Sequence, residues 1–251
     1  MSLNPIQISL VISVYNETKR LHILHHAVND IIHNNNYNVH EIIIVDDGST
    51  DNTYQRLKYF FGKTEQVKLI KTFPNRGKGA GLRTGIAASK GQLVLLSDAD
   101  FSAPIYNLHI LRMALHNDYV GAIGVRGSAQ NDMRKSQPMA RRVAGKLVRT
   151  VIKYFNITSI SDTQCNFKLF KGDIIRSLIL DCCINGFLFD LELLSRLEKS
   201  YPRKIAEVPI TWKHVPESTV KINLLTIFGI ARDFIRIWAI HHSLKKPTCD
   251  I

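Results

Sequence analysis

No window of about 20 uninterrupted apolar residues occurs in this 251-residue chain, and a membrane-spanning helix needs about that length. The nearest stretch, residues 222–240, is broken by Arg232, Asp233 and Arg236. The first residues hold no charged segment leading into an apolar one, so no secretory signal is expected. Cysteine is scarce. The four present include no Cys-x-x-Cys spacing, and Cys182 and Cys183 are adjacent, an awkward arrangement for an intrachain bridge. Reduced thiols in a cytoplasmic setting are therefore the expectation. Repeats, low-complexity segments and linkers are missing too. Acidic residues are outnumbered: 21 Asp and Glu face 33 Lys and Arg, a formal charge of +12. That balance favours an anionic partner, whether nucleic acid, a phosphorylated substrate or an anionic membrane surface.

What is present is an ordinary globular composition, 45% hydrophobic and 22% charged, on a chain long enough to bury a full core. Short apolar, β-branched runs at residues 8–14, 41–45, 67–71 and 94–97 read as buried strands, and helical segments at about 19–33, to about 61 and to about 89 separate them. Such alternation predicts βαβ units and a mostly parallel sheet covered on both faces. The second half is less regular. Strands are expected at 120–125, 162–170 and 205–210, with helices at 138–155, 190–199 and, amphipathic, about 221–244.

Acids recur where these strands end: Glu17 after the first, Asp46 and Asp47 after the second, Asp98 and Asp100 after the fourth. The carboxyl ends of parallel strands share one edge, so these acids would gather in one crevice, where open α/β sheets bind ligands. Asp98 and Asp100 are two apart and point the same way in an extended chain, a hard-oxygen pair suited to Mg²⁺ or Mn²⁺. A solvated turn with two acids gives the same pattern. Arg76-Gly77-Lys78-Gly79-Ala80-Gly81 could bring backbone amides and Lys78 to phosphates, although it is not a Walker A sequence; a flexible helix start reads equally well.

Val14-Tyr15-Asn16-Glu17, Val45-Asp46-Asp47-Gly48-Ser49-Thr50-Asp51, Asn75-Arg76-Gly77-Lys78-Gly79 and Ser97-Asp98-Ala99-Asp100, in that order, resemble the signature of family 2 nucleotide-sugar glycosyltransferases of GT-A fold. Val125-Arg126, Asp162-Thr163-Gln164-Cys165-Asn166-Phe167-Lys168-Leu169-Phe170 and Phe189-Asp190-Leu191-Glu192-Leu193 resemble its polyprenyl-phosphate branch, with Asn166 where glycine is expected. The resemblance spans about residues 8–240. It implies a Rossmann-like GT-A domain over 1–220, with a nucleotide-sugar half (8–104) and an acceptor half (105–220), and a helical extension over 221–251. It implies roles as well: Tyr15, Glu17, Asp46, Asp47, Lys78 and Asp98 for the nucleotide sugar, Asp98 and Asp100 for the metal, and Arg126 with Arg141 or Arg142 for an acceptor phosphate. Asp100, Arg126 and Asp190 would be the catalytic set, Asp190 standing where relatives with hydroxyl acceptors keep a base. The activity implied is inverting transfer of a hexose, glucose from UDP-glucose, to a polyprenyl (dolichyl-type) phosphate, at the cytoplasmic membrane face.

A phosphate monoester is already an anionic nucleophile and needs positioning more than a base. From Arg126 to Lys153 there are eight basic residues and one acid, Asp132, with Arg142, Lys146, Arg149 and Lys153 at helical spacing. A basic amphipathic helix facing anionic lipid is the preferred reading, against a solvated helix over a core. Near the C-terminus Leu224, Phe228, Ala231, Ile235 and Trp238 form an apolar stripe that could meet the domain, a second subunit or a bilayer interface. Two rivals remain: transfer to a sugar hydroxyl of a polysaccharide or glycolipid, with Asp190 as base, and a nucleic-acid-binding module. The second has no aromatic-interleaved basic strand and leaves the gathered acids unexplained. Trp212 is expected in the core.

Overall fold

The computed structural model describes residues 6–115, 118–126, 155, 157–213, 215 and 224–242. Each apolar run forms a strand: β1 (Ile8–Val14), β2 (Val39–Asp47), β3 (Val67–Thr72), β4 (Leu93–Ser97), β5 (Gly121–Arg126), β6 (Lys168–Lys171) and β7 (Ile205–Ile210). They make one seven-stranded sheet in the order β3-β2-β1-β4-β6-β5-β7, in which β6 alone runs antiparallel to its neighbours. The helices are α1 (Leu21–His33), α2 (Thr53–Phe61), α3 (Lys78–Ala88), α4 (Leu108–Ala114), α5 (Gly172–Leu178), α6 (Phe189–Ser200) and α7 (Leu224–His242).

The inner strands carry no hydrophobic-polar alternation because both faces are covered. Leu10 and Ile12 of β1, Ile42 and Ile44 of β2, and Leu95 of β4 join one core cluster with α1, α2 and α4. Their neighbours Val11, Ile43, Val45, Val94 and Leu96 join another with α3, α5 and α6. Burying one such side chain contributes about 1.5–3 kcal/mol, so the β1-β2-β4 centre anchors the fold.

Helix α3 packs unusually close to that centre. A Cβ at Gly81 would stand 2.2 Å from Ser13 Oγ, and one at Gly85 would stand 2.4 Å from Val11 Cγ1. Part of the glycine content read as a phosphate-approaching loop is therefore spent on helix-to-sheet approach.

Three other expectations shift. The strand placed at 162–170 begins only at Lys168; Cys165, Asn166 and Phe167 precede it as a buried irregular segment. Helix α7 is continuous, but it packs through Ile230, Phe234 and Ile237 against Ile184, Leu188 and Leu191. The described part of the foreseen stripe points outward: Ala231 is exposed, Ile235 is at 64% and Trp238 at 41% exposure. Two apolar stripes coexist on this helix, and tertiary contacts select the other one. Finally, Cys183 is disulfide-bonded, which corrects the expectation of reduced thiols, while Cys165 and Cys182 are free and buried. The foreseen helix at 138–155, with Arg141, Arg142, Lys146 and Arg149, lies outside the described residues apart from Phe155.

Gly85→Val should force Val11 and Val45 apart. Overpacking of this kind costs about 1–3 kcal/mol, a fall in Tm of roughly 2–12 °C for a chain of this size, readable by thermal denaturation; an unchanged Tm would mean that the α3-β1 contact is not tight.

Candidate active site

The sheet order reverses direction at β1 and β4: the chain steps from β1 outward through β2 to β3, then returns to the other flank of β1 as β4. Ligands bind at such a switch point, beyond the carboxyl ends of the strands. Because β6 is antiparallel, its first residue, Lys168, pairs with Leu96 near the end of β4. Strand β5 pairs with β6 in the opposite sense, so Arg126 closes β5 at the same edge.

Asp98 and Asp100 follow β4 directly. Asp98 Oδ1 accepts from Lys78 Nζ at 2.8 Å and from Asn166 Nδ2 at 3.1 Å. Asp98 Oδ2 bonds to none of the described residues, and the side chain is 42% exposed. Burial alone would raise the Asp98 carboxyl, but the Lys78 ammonium, the Asn166 amide and the more distant Lys168 outweigh it and hold it below the usual carboxylate range. For Lys78, burial would lower the ammonium's pKa, yet Asp98, Asp190 and Asp100 together raise it above the ordinary lysine value. Asp100 is braced on both oxygens: Oδ1 accepts from the Ser102 amide at 3.0 Å and hydroxyl at 2.7 Å, and Oδ2 lies 3.4 Å from Arg20 Nη1. Arg20 also grips Glu17 through Nε at 2.9 Å and Nη2 at 2.6 Å, so one arginine ties the end of β1 to the end of β4.

Two carboxylates of this kind fit a divalent ion. Asp98 offers an oxygen that no described residue occupies, Asp100 is fixed two residues on, and Mg²⁺ typically takes only one or two protein carboxylates with phosphate and water oxygens completing its shell. Among the described residues no group of three or more His, Cys, Asp or Glu side chains could hold a metal alone.

The acids after β2 serve differently. Asp47 is 1% exposed, and its carboxylate accepts from Thr72 Oγ1, Asn75 Nδ2 and the amides of Arg76 and Gly77. It clamps the loop before α3, its Oδ2 taking three donors and its Oδ1 one. Asp46 Oδ1 accepts from the Ser49 amide at 2.7 Å, while its buried Oδ2 has no partner among the described residues. Tyr15, 42% exposed, stands at the end of β1. Asn16, at φ 53, accepts the Thr50 amide on its Oδ1 and stitches the β1 and β2 loops together.

The glycine loop also departs from expectation. Gly77 turns at φ 108, which a side chain would resist. The Gly79 amide donates to Asn185 O at 2.7 Å, and that of Ala80 to the same oxygen at 3.3 Å. With the Arg76 and Gly77 amides given to Asp47, the loop has no free row of amides for a phosphate. It presents Lys78 instead.

Arg126 meets Asp162 through Nε at 2.8 Å and Nη2 at 2.7 Å, and its backbone amide bonds there as well. Its guanidinium lies 5.7 Å from the Trp212 ring centre, and Nη1 bonds to none of the described residues. Trp212 is thus a half-buried stacking platform as well as a core contact. Asp190, at the start of α6, is buried with Lys168, their oxygen and nitrogen 2.5 Å apart. A carboxylate sealed against a buried ammonium is poorly disposed to serve as a base. Arg20, Asn75, Asp162, Lys168 and Asn185 were given no role from sequence; the signal for Asp162 and Lys168 was their place in the quoted 162–170 motif.

A model of glycosyl transferase family 2 matches residues 9–179, more than half of the chain. The protein belongs to glycosyltransferase family 2. A dolichyl-phosphate beta-glucosyltransferase of Saccharomyces cerevisiae is 32% identical to it, over 92% of this chain and 73% of the relative. One of Trichomonas vaginalis is 29% identical, over 96% and 76%. In fold it is similar to glucosyl-3-phosphoglycerate synthase of Mycobacterium tuberculosis, solved with Mn²⁺, UDP-glucose and phosphoglyceric acid, at TM-score 0.70 and 17% identity over 94% of this chain and 80% of that one.

The Arg126-Asp162 pair gives a pH signature. Burial would raise the Asp162 carboxyl, but its hydrogen bonds and charge contact with Arg126 hold it below the reference value of 3.8. A depressed folded pKa stabilises above the unfolded value and fades as pH falls through the folded one. Asp162→Asn should therefore cost about 1.5–3 kcal/mol at neutral pH, and its deficit against wild type should shrink below about pH 4. Denaturant titrations across pH would read this, and a deficit independent of pH would place the cost elsewhere.

Proposed function

We propose that this glycosyltransferase moves glucose from UDP-glucose to a polyprenyl phosphate, with inversion at the anomeric carbon and with Mg²⁺ or Mn²⁺ bound. The observation that carries the reading is the Lys78-Asp98 contact at the β1-β4 switch point, beside Asp100 and within reach of Arg126's strand end. Relatives named dolichyl-phosphate beta-glucosyltransferase, matched over most of both chains, support the choice of donor and acceptor. The metal complexes of the mycobacterial synthase support the ion.

In this reading Asp98 and Asp100 hold the ion, which supplies positive charge as the nucleoside diphosphate departs. Lys78 turns from Asp98 to the diphosphate. Asp46, with one unsatisfied buried oxygen, and the Tyr15-Glu17 turn border the base and ribose. Arg126 offers its Nη1 edge to the acceptor phosphate while Asp162 and Trp212 fix the guanidinium plane. An anionic phosphate oxygen attacks C1 of the sugar, and the C1–O bond to the diphosphate breaks. No proton has to be removed, which accords with Asp190 being committed to Lys168.

Labelled UDP-glucose, a short polyprenyl phosphate and Mn²⁺ provide the direct test. Lipid-linked label that needs metal is the expected outcome; labelled polysaccharide with no lipid product would move the reading to a hydroxyl acceptor. Arg126→Ala should lower turnover roughly 10 to 150-fold, the worth of one charge-assisted contact, with UDP-glucose affinity preserved. Collapse of donor affinity instead would make Arg126 a structural partner of Asp162 alone.

The membrane surface is the second element of the proposal. Among the described residues no helix is long and apolar enough to cross a bilayer. Helix α7 nevertheless shows Ile235 and Trp238 outward, beside Arg232 at 66% side-chain exposure, the combination that places a helix in a lipid interface. Co-sedimentation with anionic vesicles should fall several-fold in the Ile235→Ser, Trp238→Ser double variant and should weaken with salt; retention identical to wild type would move the contact off α7.

A further inference from the structure

Asn166 is the position at which this chain departs from the pattern it otherwise follows. Its side chain is 4% exposed, its Nδ2 lies 3.1 Å from Asp98 Oδ1, and its own Oδ1 has no partner among the described residues. A carboxylate oxygen only accepts, so the amide nitrogen must face Asp98 and the amide oxygen must face away. A buried acceptor left unpaired is costly. Glycine would remove that cost, so the amide is held there against a standing penalty, and its one bond goes to Asp98.

That bond shares its oxygen with Lys78. Asp98 Oδ1 receives both donors, whereas Oδ2 receives none from the described residues. Without Asn166, a lysine drawn away by an incoming diphosphate would leave Asp98 free to rotate and its Oδ1 unsatisfied. With it, Lys78 can leave while the carboxylate stays oriented. Asn166 is well placed for this: it precedes β6, whose first residue is paired to β4 at Leu96, and its neighbours Cys165, Phe167 and Lys168 are buried around it.

We propose that Asn166 is a positioning residue that holds the Asp98 carboxylate in place when Lys78 transfers to the diphosphate, so that Asp98 Oδ2 remains directed at the metal-nucleotide. This rests on the reading of Asp98 and Lys78 given above. The proposal concerns binding of the metal-nucleotide before any chemistry, and Asn166 need touch neither sugar nor acceptor.

The test is calorimetric titration of UDP into wild type, Asn166→Ala, Asn166→Gly, Lys78→Met and the Lys78→Met, Asn166→Ala double variant, each with Mn²⁺ and with EDTA. Loss of a hydrogen bond to a charged group should weaken Mn²⁺-dependent UDP binding roughly tenfold in Asn166→Ala and Asn166→Gly, while binding in EDTA stays at the wild-type value. In the Lys78→Met background Asp98 depends on Asn166 in the free and the bound protein alike, so substituting Asn166 should weaken UDP binding less there than in wild type, giving a non-additive cycle. Thermal denaturation of the same proteins confirms folding, and two different substitutions guard against one that simply misfolds. Equal losses with Mn²⁺ and EDTA, or additive effects of the two substitutions, would overturn the inference and leave Asn166 a packing residue. Wild type whose UDP binding ignores Mn²⁺ would overturn the metal reading of Asp98 and this inference with it, and is thereby distinguishable from failure of the inference alone.

Discussion

Carboxylates gather at one edge of the sheet, and five of them are each met by a cation or a row of donors. Asp98 meets Lys78, Asp100 meets Arg20, Asp162 meets Arg126, Asp190 meets Lys168, and Asp47 is surrounded by donors of the loop before α3. Like charges this close would otherwise push carboxyl pKa values up and leave the crevice partly protonated. Pairing keeps Asp98 and Asp162 ionised instead. The architecture of the edge follows from this requirement. The antiparallel β6 brings Lys168 and Asn166 back to the end of β4, and α3 begins where Lys78 can reach the same place.

The pairs are not equivalent. Lys168 and Asp190 are sealed from water, and a sealed pair earns little net stability after desolvation but is expensive to break. It acts as a fixed floor, adding a distant positive field beneath Asp98 and a negative one beneath Lys78. Lys78 and Asp98 are partly exposed, at 31% and 42%, so their contact can be exchanged for another at modest cost. The site thus consists of an exchangeable ion pair resting on a permanent one. Loop amides take no part in the exchange, because Asp47 and the Asn185 carbonyl hold them, and Arg83 secures the 184–185 turn through the Ile184 carbonyl.

The doubly wound half was legible in the sequence because its strands are buried on both faces and end abruptly in acids, and the motif order carried the family. What escaped was what depends on tertiary partners. Gly79 and Gly81 read as part of a phosphate loop because sequence shows the absence of a Cβ without showing whether a ligand or the protein fills the space; here Phe189 and Ser13 do. Which face of α7 meets the domain stayed open because Ile230, Phe234 and Ile237 form an equally good stripe, and only the position of α6 decides between them. That Asp47 clamps the loop before α3 escaped because its donors, Thr72, Asn75 and the loop amides, lie about 25 to 30 residues downstream. Arg20 went unnoticed although it stands three residues after Glu17, since nothing in its spacing announces Asp100, 80 residues further on.

The same charge argument bears on the acceptor. A hydroxyl acceptor requires a carboxylate that can take a proton, which means one with access to substrate and a pKa free to rise as the reaction proceeds. Asp190 has no such access, being 2% exposed and held at 2.5 Å from an equally buried ammonium. Asp98 and Asp162 are held below the ordinary range, which weakens them as bases. An edge where Asp98 and Asp162 are poor proton acceptors and Asp190 is sealed, with an arginine whose fork is half committed and half open, is better suited to positioning an anion than to activating an alcohol. The excess of cations over acids in the whole chain, +12 in formal charge, then acts in the same direction as the site. In the proposed function it would draw an anionic acceptor toward an edge that has no need to deprotonate it.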